Sequence, residues 1–446
     1  MGLWARLIYT KRGDIVLLMI NFEKKVLDNG LRAILAPMNN TEAVTLLVLV
    51  GVGSRYETKK INGVSHFLEH MFFKGTRSRP EPGQVLRELD KIGADHNAFT
   101  SKETTGFWVK TSAKDFDVAL AVISDILLEP LFKEEEVEKE RNVIFQEIDM
   151  RKDNPRLKTQ EILDNVVFGD QPVGWDIAGS KKSVASIKRE DIIRYESENY
   201  LSENMTVAAA GNFDKEKVFQ KISRAFAPVK KGKNKNFIKA KTFQKETQVE
   251  IFNKETDQTH LALAVRAYDM YDEKRYALDL LSTLLGGNSS SRLYSEIREK
   301  LGLAYYVYSW DDQLRDCGYL GMAAGVPHSK LGAVVENIVS ICSKIKKGGI
   351  SSNDLDSAKS YLRGQTALRF EASDEIAHFV AGQELFYNEV KQPADILGKI
   401  EAVEKEDILK IAQELFRPEK FSLSVVGRHD NDEKTNKFYK KILAGI

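Results

Sequence analysis

Apolar residues mark the first ordered segments of the chain. Phe22 to Leu27 and Leu31 to Leu35 are β-prone and flank Asn29-Gly30, a pair that predicts a tight hairpin with positive φ at both central positions. The stretch Thr45 to Val52 is almost continuously aliphatic, as expected of a strand covered on both faces, and it leads into helical spacing around residues 62–74. Met19 opens the first patterned stretch. Upstream of it Lys11, Arg12 and Asp14 split an apolar run that no small-residue cleavage site follows, so residues 1–18 read as an N-terminal extension. No other run reaches the roughly 18 to 20 apolar residues that a membrane-spanning helix needs, so no membrane partner is expected.

The patterning then repeats. EDIIRYESENYLSENMTVAAAGNFD, ending at Asp214, matches EDILKIAQELFRPEKFSLSVVGRHD, ending at Asp430, at an offset of 216, and both read as helix, turn, strand. HFLEHMFFKG from His66 lines up with LDLLSTLLGG from Leu278 at an offset of 212, where Gly106-Phe107 also meets Gly318-Tyr319. A period this long means duplication of a domain, not a solenoid of short repeats. The expected fold class is therefore α+β, with two homologous domains, each a mixed or antiparallel sheet with helices packed on one face. Residues 19–228 form the first domain and 243–446 the second, joined by a basic, weakly apolar linker at 229–242.

Composition narrows the partners. The hydrophobic fraction of 42% suffices for two cores, and a net charge of +1 lacks the electrostatic footprint of a nucleic-acid binder, leaving ligands such as peptides. Two cysteines, Cys317 and Cys342, make neither a disulfide framework nor a zinc knuckle and fit a reducing, cytoplasmic setting.

The chemistry gathers at His66, Glu69 and His70. On a helix, residues i and i+4 share a face, so both imidazoles aim at one metal ion. Glu69 lies beside them and reaches a metal-bound water without displacing either ring, which is the place of a general base. The motif inverts the common zinc-peptidase helix. A catalytic site of this type needs a third ligand, and the helical stretch EEEVEKERNVIFQEIDMRK offers it. There Val137, Glu140, Val143 or Ile144, Glu147 and Ile148 fall on one stripe, whereas Glu134, Glu135 and Glu136 are solvated at the helix start. A carboxylate on a buried face is costly unless paired or metal-bound, which selects Glu147 as the ligand and Glu140 as a group that orients a ligand or the water. In the second repeat, the positions facing His66, Glu69 and His70 are Leu278, Leu281 and Ser282, so that copy holds no metal. The remaining histidines, His96, His260, His328, His378 and His429, lack metal spacing.

HFLEHMFFKGT at 66–76, GADHNAFTSKETTGF at 93–107 and ERNVIFQEI at 140–148 together resemble the pitrilysin family of inverted zinc metallopeptidases, above all its shorter members similar to the mitochondrial processing peptidase β subunit. The resemblance covers nearly all of residues 19–446. In that family 76 residues separate the second metal histidine from the metal glutamate, the same separation as between His70 and Glu147. It implies one zinc per chain, and an endopeptidase or oligopeptidase that cleaves extended or unfolded peptides inside a chamber closed by a homodimer. Asn97, Ala98, Phe99 and Thr100 look like the family's edge strand that pairs with the peptide backbone. SRLYSEIREKLGLAYYVYS resembles its substrate-clamping Arg and Tyr, here Arg298 and Tyr305, and departs from the pattern at Leu301, where relatives often carry a basic residue. The competing expectations are a non-catalytic structural subunit of the same family, and a subunit active only with a different partner chain.

Overall fold

The structure, a computed structural model, describes residues 19–234 and 236–446, and the extension expected at residues 1–18 lies outside the described residues. Two sheets organise it. In the first, β1 (Glu23–Val26), β2 (Arg32–Pro37), β3 (Ala43–Val50), β4 (Asp95–Thr100), β5 (Thr105–Ser112) and β6 (Met205–Gly211) take the order β1-β2-β6-β3-β5-β4. In the second, β7 (Gln248–Asn253), β8 (Thr259–Ala267), β9 (Tyr306–Gln313), β10 (Gly318–Val326) and β11 (Phe421–Gly427) take the order β7-β11-β8-β10-β9. Each sheet has one parallel pair, β2 with β6 and β7 with β11, and is otherwise antiparallel. The two sheets are copies: β2 and β7 begin 216 positions apart, as do β3 and β8, and β6 and β11.

The α+β expectation of two homologous domains with mixed sheets therefore holds, and the structure refines it in three places. The hairpin between β1 and β2 forms, but only Gly30 has positive φ, at 87°. Leu27 and Leu31 close a three-residue loop, with the Leu27 N–H donating to the Leu31 carbonyl at 2.9 Å, and such a loop requires one left-handed residue rather than two. Asn29 instead donates its side-chain amide to the Phe226 carbonyl at 2.9 Å. The strand register also corrects one alignment of the repeat. Val48 pairs with Phe107 and Ala264 with Gly321, so the counterpart of Phe107 in the second sheet is Gly321, two residues beyond Tyr319. A slip of two keeps every side chain on its expected face.

The third refinement concerns the layers. Leu46, Val48 and Val50 of β3 enter a core with helices Val64–Met71 and Phe116–Leu128 on one face. The sequence reads β3 as covered on both faces but the helices as packed on one; here Leu47 and Leu49 of β3 and Ala208 and Ala210 of β6 also pack against Ile376, Ala377, Val380 and Ala381 of helix Ser373–Tyr387. This is what the uninterrupted aliphatic run of β3 demands, since a strand apolar on both faces must be covered twice. The second sheet is treated alike, with Ala262, Ala264 and Tyr319 packed against Leu163, Val167 and Phe168 of helix Pro155–Phe168.

The chain consequently divides into two compact units that do not follow its halves strictly. The first holds the described residues up to Ile148, then Asp176–Ile238 and Gln365–Ile396, and the second holds Asp149–Trp175, Lys239–Gly364 and Leu397–Ile446. Helices Pro155–Phe168 and Ser373–Tyr387, which are counterparts in the repeat, thus each belong to the unit built mainly from the other half. Among the described residues, no helix is long and apolar enough to cross a membrane.

One carboxyl of the first unit gives its stability a pH dependence. Burial pushes Glu196, on helix Arg189–Asn199, up to about 7, against the opposing pull of Lys230. The folded chain therefore holds this proton where the unfolded chain has lost it, and stability falls as pH rises from about 4.5 to about 7. Glu196→Gln is expected to unfold later than the parent at pH 8, by on the order of 1–2 kcal/mol, and to match it at pH 4.5. Equal differences at both pH values in thermal unfolding would dismiss the assignment.

Candidate metal centre

The centre stands on two helices of the first unit. Helix Val64–Met71 buries Val64, Phe67, Leu68 and Met71, which turns His66, Glu69 and His70 toward its other side. Helix Glu134–Asp153 buries Val137 and Ile144 in the same core. Together they bring His66, His70 and Glu147 into one cluster, and among the described residues no other group of three or more His, Cys, Asp or Glu is so arranged.

The distances test whether a cation fits. His66 Nε2 lies 3.4 Å from His70 Nε2, and Glu147 Oε2 lies 3.6 Å from the former and 3.5 Å from the latter. Ligands bonded at about 2.1 Å to a tetrahedral zinc are about 3.4 Å apart. Three donors with these separations would suit a tetrahedral cation such as zinc, for which they would supply three ligands. Two imidazoles and one carboxylate are also a donor set that suits zinc.

Glu140 stands behind the ring of His70. Its Oε2 lies 3.1 Å from His70 Nδ1, and its Oε1 accepts from Lys74 Nζ at 2.6 Å. With Nδ1 donating to Glu140, Nε2 of His70 keeps its lone pair for a cation, a tautomer set by the partner. Burial works to raise the Glu140 carboxyl, but the bonds from His70 and Lys74 outweigh it and hold the group below the usual carboxylate range. Burial lowers the His70 imidazole, while Glu140, Glu147 and Glu69 more than reverse this and raise it.

Glu69 accepts a hydrogen bond from Thr100 Oγ1 at 2.6 Å on Oε2. Burial is the main cause that raises its carboxyl, with Glu147 adding to it and Thr100 and His70 opposing. A carboxyl raised toward neutrality is a better proton acceptor for work near pH 7.

Two expectations about the glutamates change. Glu136, expected in solvent, is buried and paired with Lys139 at 2.6 Å. Glu147 keeps 32% of its side chain exposed while Glu140 is the buried carboxylate, so burial cost singles out the residue behind His70 rather than the one grouped with both histidines.

The other candidates separate by unit. Asn97, Ala98, Phe99 and Thr100 lie on β4, the edge strand of the first sheet, whose one partner among the described residues is β5. Ala98 packs toward the core that helix Val64–Met71 shares, whereas Phe99 turns to the opposite face, 5.8 Å from the His378 ring. Arg298 and Tyr305 belong to the second unit. Arg298 donates to the Tyr294 hydroxyl at 2.7 Å, and Tyr305 is 77% exposed just before β9. The second-repeat counterparts Leu278 and Leu281 are fully buried core residues on helix Arg275–Gly286.

Sequence reasoning missed the bond from Thr100 to Glu69, the ion pair of Lys74 with Glu140, and Glu57. The Glu57 carboxylate accepts from the backbone N–H of Gly63 at 2.7 Å and of Ser65 at 2.8 Å, at the head of helix Val64–Met71. Burial pushes it up to about 7 despite those donors. Its only sequence signal is indirect: the helix starts after Gly63, which has no side chain to cap it.

Comparison with known proteins adds an independent line. Residues 32–181 match the family described as insulinase (peptidase family M16), and residues 186–362 match the peptidase M16 inactive domain. The chain is 32% identical to a protein of Bacillus subtilis named uncharacterized zinc protease YmxG, over 90% of this chain and 97% of that one. It is 33% identical to an uncharacterized zinc protease of Rickettsia felis, over 89% of this chain and 95% of the other. Among solved structures, a protease from Helicobacter pylori superposes with a TM-score of 0.87 at 27% identity, covering 92% of this chain and all of that one. A peptidase M16 inactive domain from Pseudomonas fluorescens has the same fold, with a TM-score of 0.85 at 18% identity over 93% of this chain and 99% of its own.

Proposed function

Because this chain belongs to the insulinase family of peptidases, M16, we propose that it is a zinc-dependent endopeptidase or oligopeptidase acting on extended or unfolded peptides. The observation that carries the reading is the triangle of His66 Nε2, His70 Nε2 and Glu147 Oε2, with sides of 3.4, 3.6 and 3.5 Å and Glu69 on the same helix. The names of the relatives support zinc as the cation and proteolysis as the reaction.

When bound, zinc supplies a Lewis acid that polarises the scissile carbonyl and brings the pKa of its water to about 7. The chain does the rest. His66, His70 and Glu147 hold the cation, and Glu140 fixes His70 in the tautomer that binds it. Glu69 takes the proton of the attacking water and delivers it to the leaving amine, held in aim by Thr100. The edge strand β4, paired among the described residues only with β5, offers Asn97 to Thr100 as a template for the substrate main chain, which favours extended peptides with little demand on sequence. Arg298 and Tyr305, of the second unit, are a pair whose chemistry suits hydrogen bonds to a peptide carbonyl and its developing oxyanion, in the same chain or across the homodimer. A single zinc per chain, a cytoplasmic homodimer and an enclosing chamber complete the reading.

Zinc content and hydrolysis of an internally quenched peptide test it on the whole chain. Wild type is expected to bind one zinc, to lose activity to a chelator and to regain it with zinc. Glu147→Ala should bind zinc more than about 100-fold more weakly and fall to background turnover. If Glu147→Ala held zinc as tightly as its parent, Glu147 would not be a ligand.

A further inference from the structure

We propose that Glu57 is a positioning residue for the metal centre, holding the first turn of the His66 helix at a fixed distance from the end of β4. The inference rests on reading His66, His70 and Glu147 as metal ligands.

Helix Val64–Met71 begins at Gly63, whose φ of 99° and missing side chain leave the first amides without an ordinary cap. Those amides need an acceptor, and an anion there also complements the helix dipole. Glu57, 2% exposed, supplies one with both oxygens: Oε2 accepts from Gly63 N at 2.7 Å and from Asn62 Nδ2 at 2.9 Å, and Oε1 from Ser65 N at 2.8 Å. Ser65 is the residue next to His66. Its hydroxyl lies 2.8 Å from Tyr195 OH, which donates to the Gly53 carbonyl at 3.3 Å. The helix head is thus tied to the Gly53–Glu57 segment at two points.

That segment is in turn laced to the residues that follow β4. Ser54 N donates to the Ser101 carbonyl at 3.1 Å, and Arg55 N to the Lys102 carbonyl at 3.0 Å. A side chain at Gly53 would place its Cβ 2.3 Å from the Ser101 carbonyl oxygen, so the two backbone segments approach too closely for any other residue. Thr100, one residue before, reaches Glu69 on the same metal helix at 2.6 Å. Glu57 therefore closes a loop of contacts from metal helix to edge strand and back. Glu57 itself touches neither the cation nor the substrate in this reading, yet it sets where His66, Glu69 and β4 stand relative to one another.

Glu57→Gln and Glu57→Ala test this in the full-length protein. Zinc affinity is read by competition with a chromophoric chelator, alongside kcat and KM for a quenched peptide and unfolding of the metal-free form. Glu57→Ala is expected to weaken zinc binding by about 10- to 100-fold, the effect typical of groups that orient ligands. It should also lower kcat more than it alters KM. Glu57→Gln, nearly isosteric, keeps one acceptor oxygen and should fall between the two, and it carries the test if the alanine variant does not fold. Zinc affinity and kcat within twofold of wild type in the folded variants overturn the proposal, even if the metal-free form unfolds sooner, because Glu57 would then serve stability alone. Wild-type protein that binds no zinc would instead sink the metal reading itself.

Discussion

Glu69→Gln is expected to retain its zinc and to lose turnover by a factor on the order of 10² to 10⁴, the usual contribution of a positioned general base. The substitution is nearly isosteric. Glutamine still offers an oxygen to the hydroxyl of Thr100, which donates to Oε2 at 2.6 Å in the parent, so the arrangement around the helix survives. What disappears is the capacity to accept a proton. Because His66, His70 and Glu147 are untouched, metal content should match wild type, and the deficit should fall on kcat in a quenched-peptide assay. Unchanged turnover with full zinc occupancy would remove Glu69 from the mechanism.

The second large effect lies in the buried ion pair of Arg55 with Glu103. Arg55 Nη1 is 2.5 Å from Glu103 Oε1, and the side chains are 0% and 3% exposed. The guanidinium also sits 3.8 Å from the ring centroid of Phe237, a cation–π contact in a dry setting. Such a pair adds little net stability over apolar residues of the same size, because taking both charges out of water is costly. Removing one partner is a different matter, since the other charge stays buried. Glu103→Ala should therefore destabilise the first unit by about 3–5 kcal/mol. At roughly 2–4 °C per kcal/mol for a unit of this size, its thermal midpoint should drop by about 6–20 °C. Replacing both residues together, as Arg55→Met with Glu103→Leu, should recover much of that loss. A Glu103→Ala midpoint within about 2 °C of wild type would show that the cation finds water or another partner.

How legible was this molecule beforehand? Local spacing carried the helix that bears His66, Glu69 and His70, because the i and i+4 rule depends on nothing beyond the helix itself. The mixed sheets were legible through the aliphatic run of β3 and its repeat at β8. Glu147 emerged from the stripe it shares with Glu140, although the structure inverts the burial of the two, leaving Glu147 part exposed and Glu140 buried. The residue count between His70 and Glu147 that the family shares was the firmer guide. Glu57, Thr100 and Lys74 escaped because their roles depend on where loops and strand ends meet in space. The identity of the covering helices was hidden for another reason: Pro155–Phe168 and Ser373–Tyr387 are counterparts in the repeat, and sequence does not say which sheet each will cover.

That exchange of helices has a consequence for biosynthesis. β6, the last strand of the first sheet, is complete at Gly211, but the helix that covers the outer face of β3 and β6 begins only at Ser373. At about 5–20 residues per second, the ribosome needs roughly 10–30 s to make the intervening segment. For that interval the native cover of Leu47, Leu49, Ala208 and Ala210 does not yet exist, so this part of the core is completed only after most of the remaining polypeptide has been made.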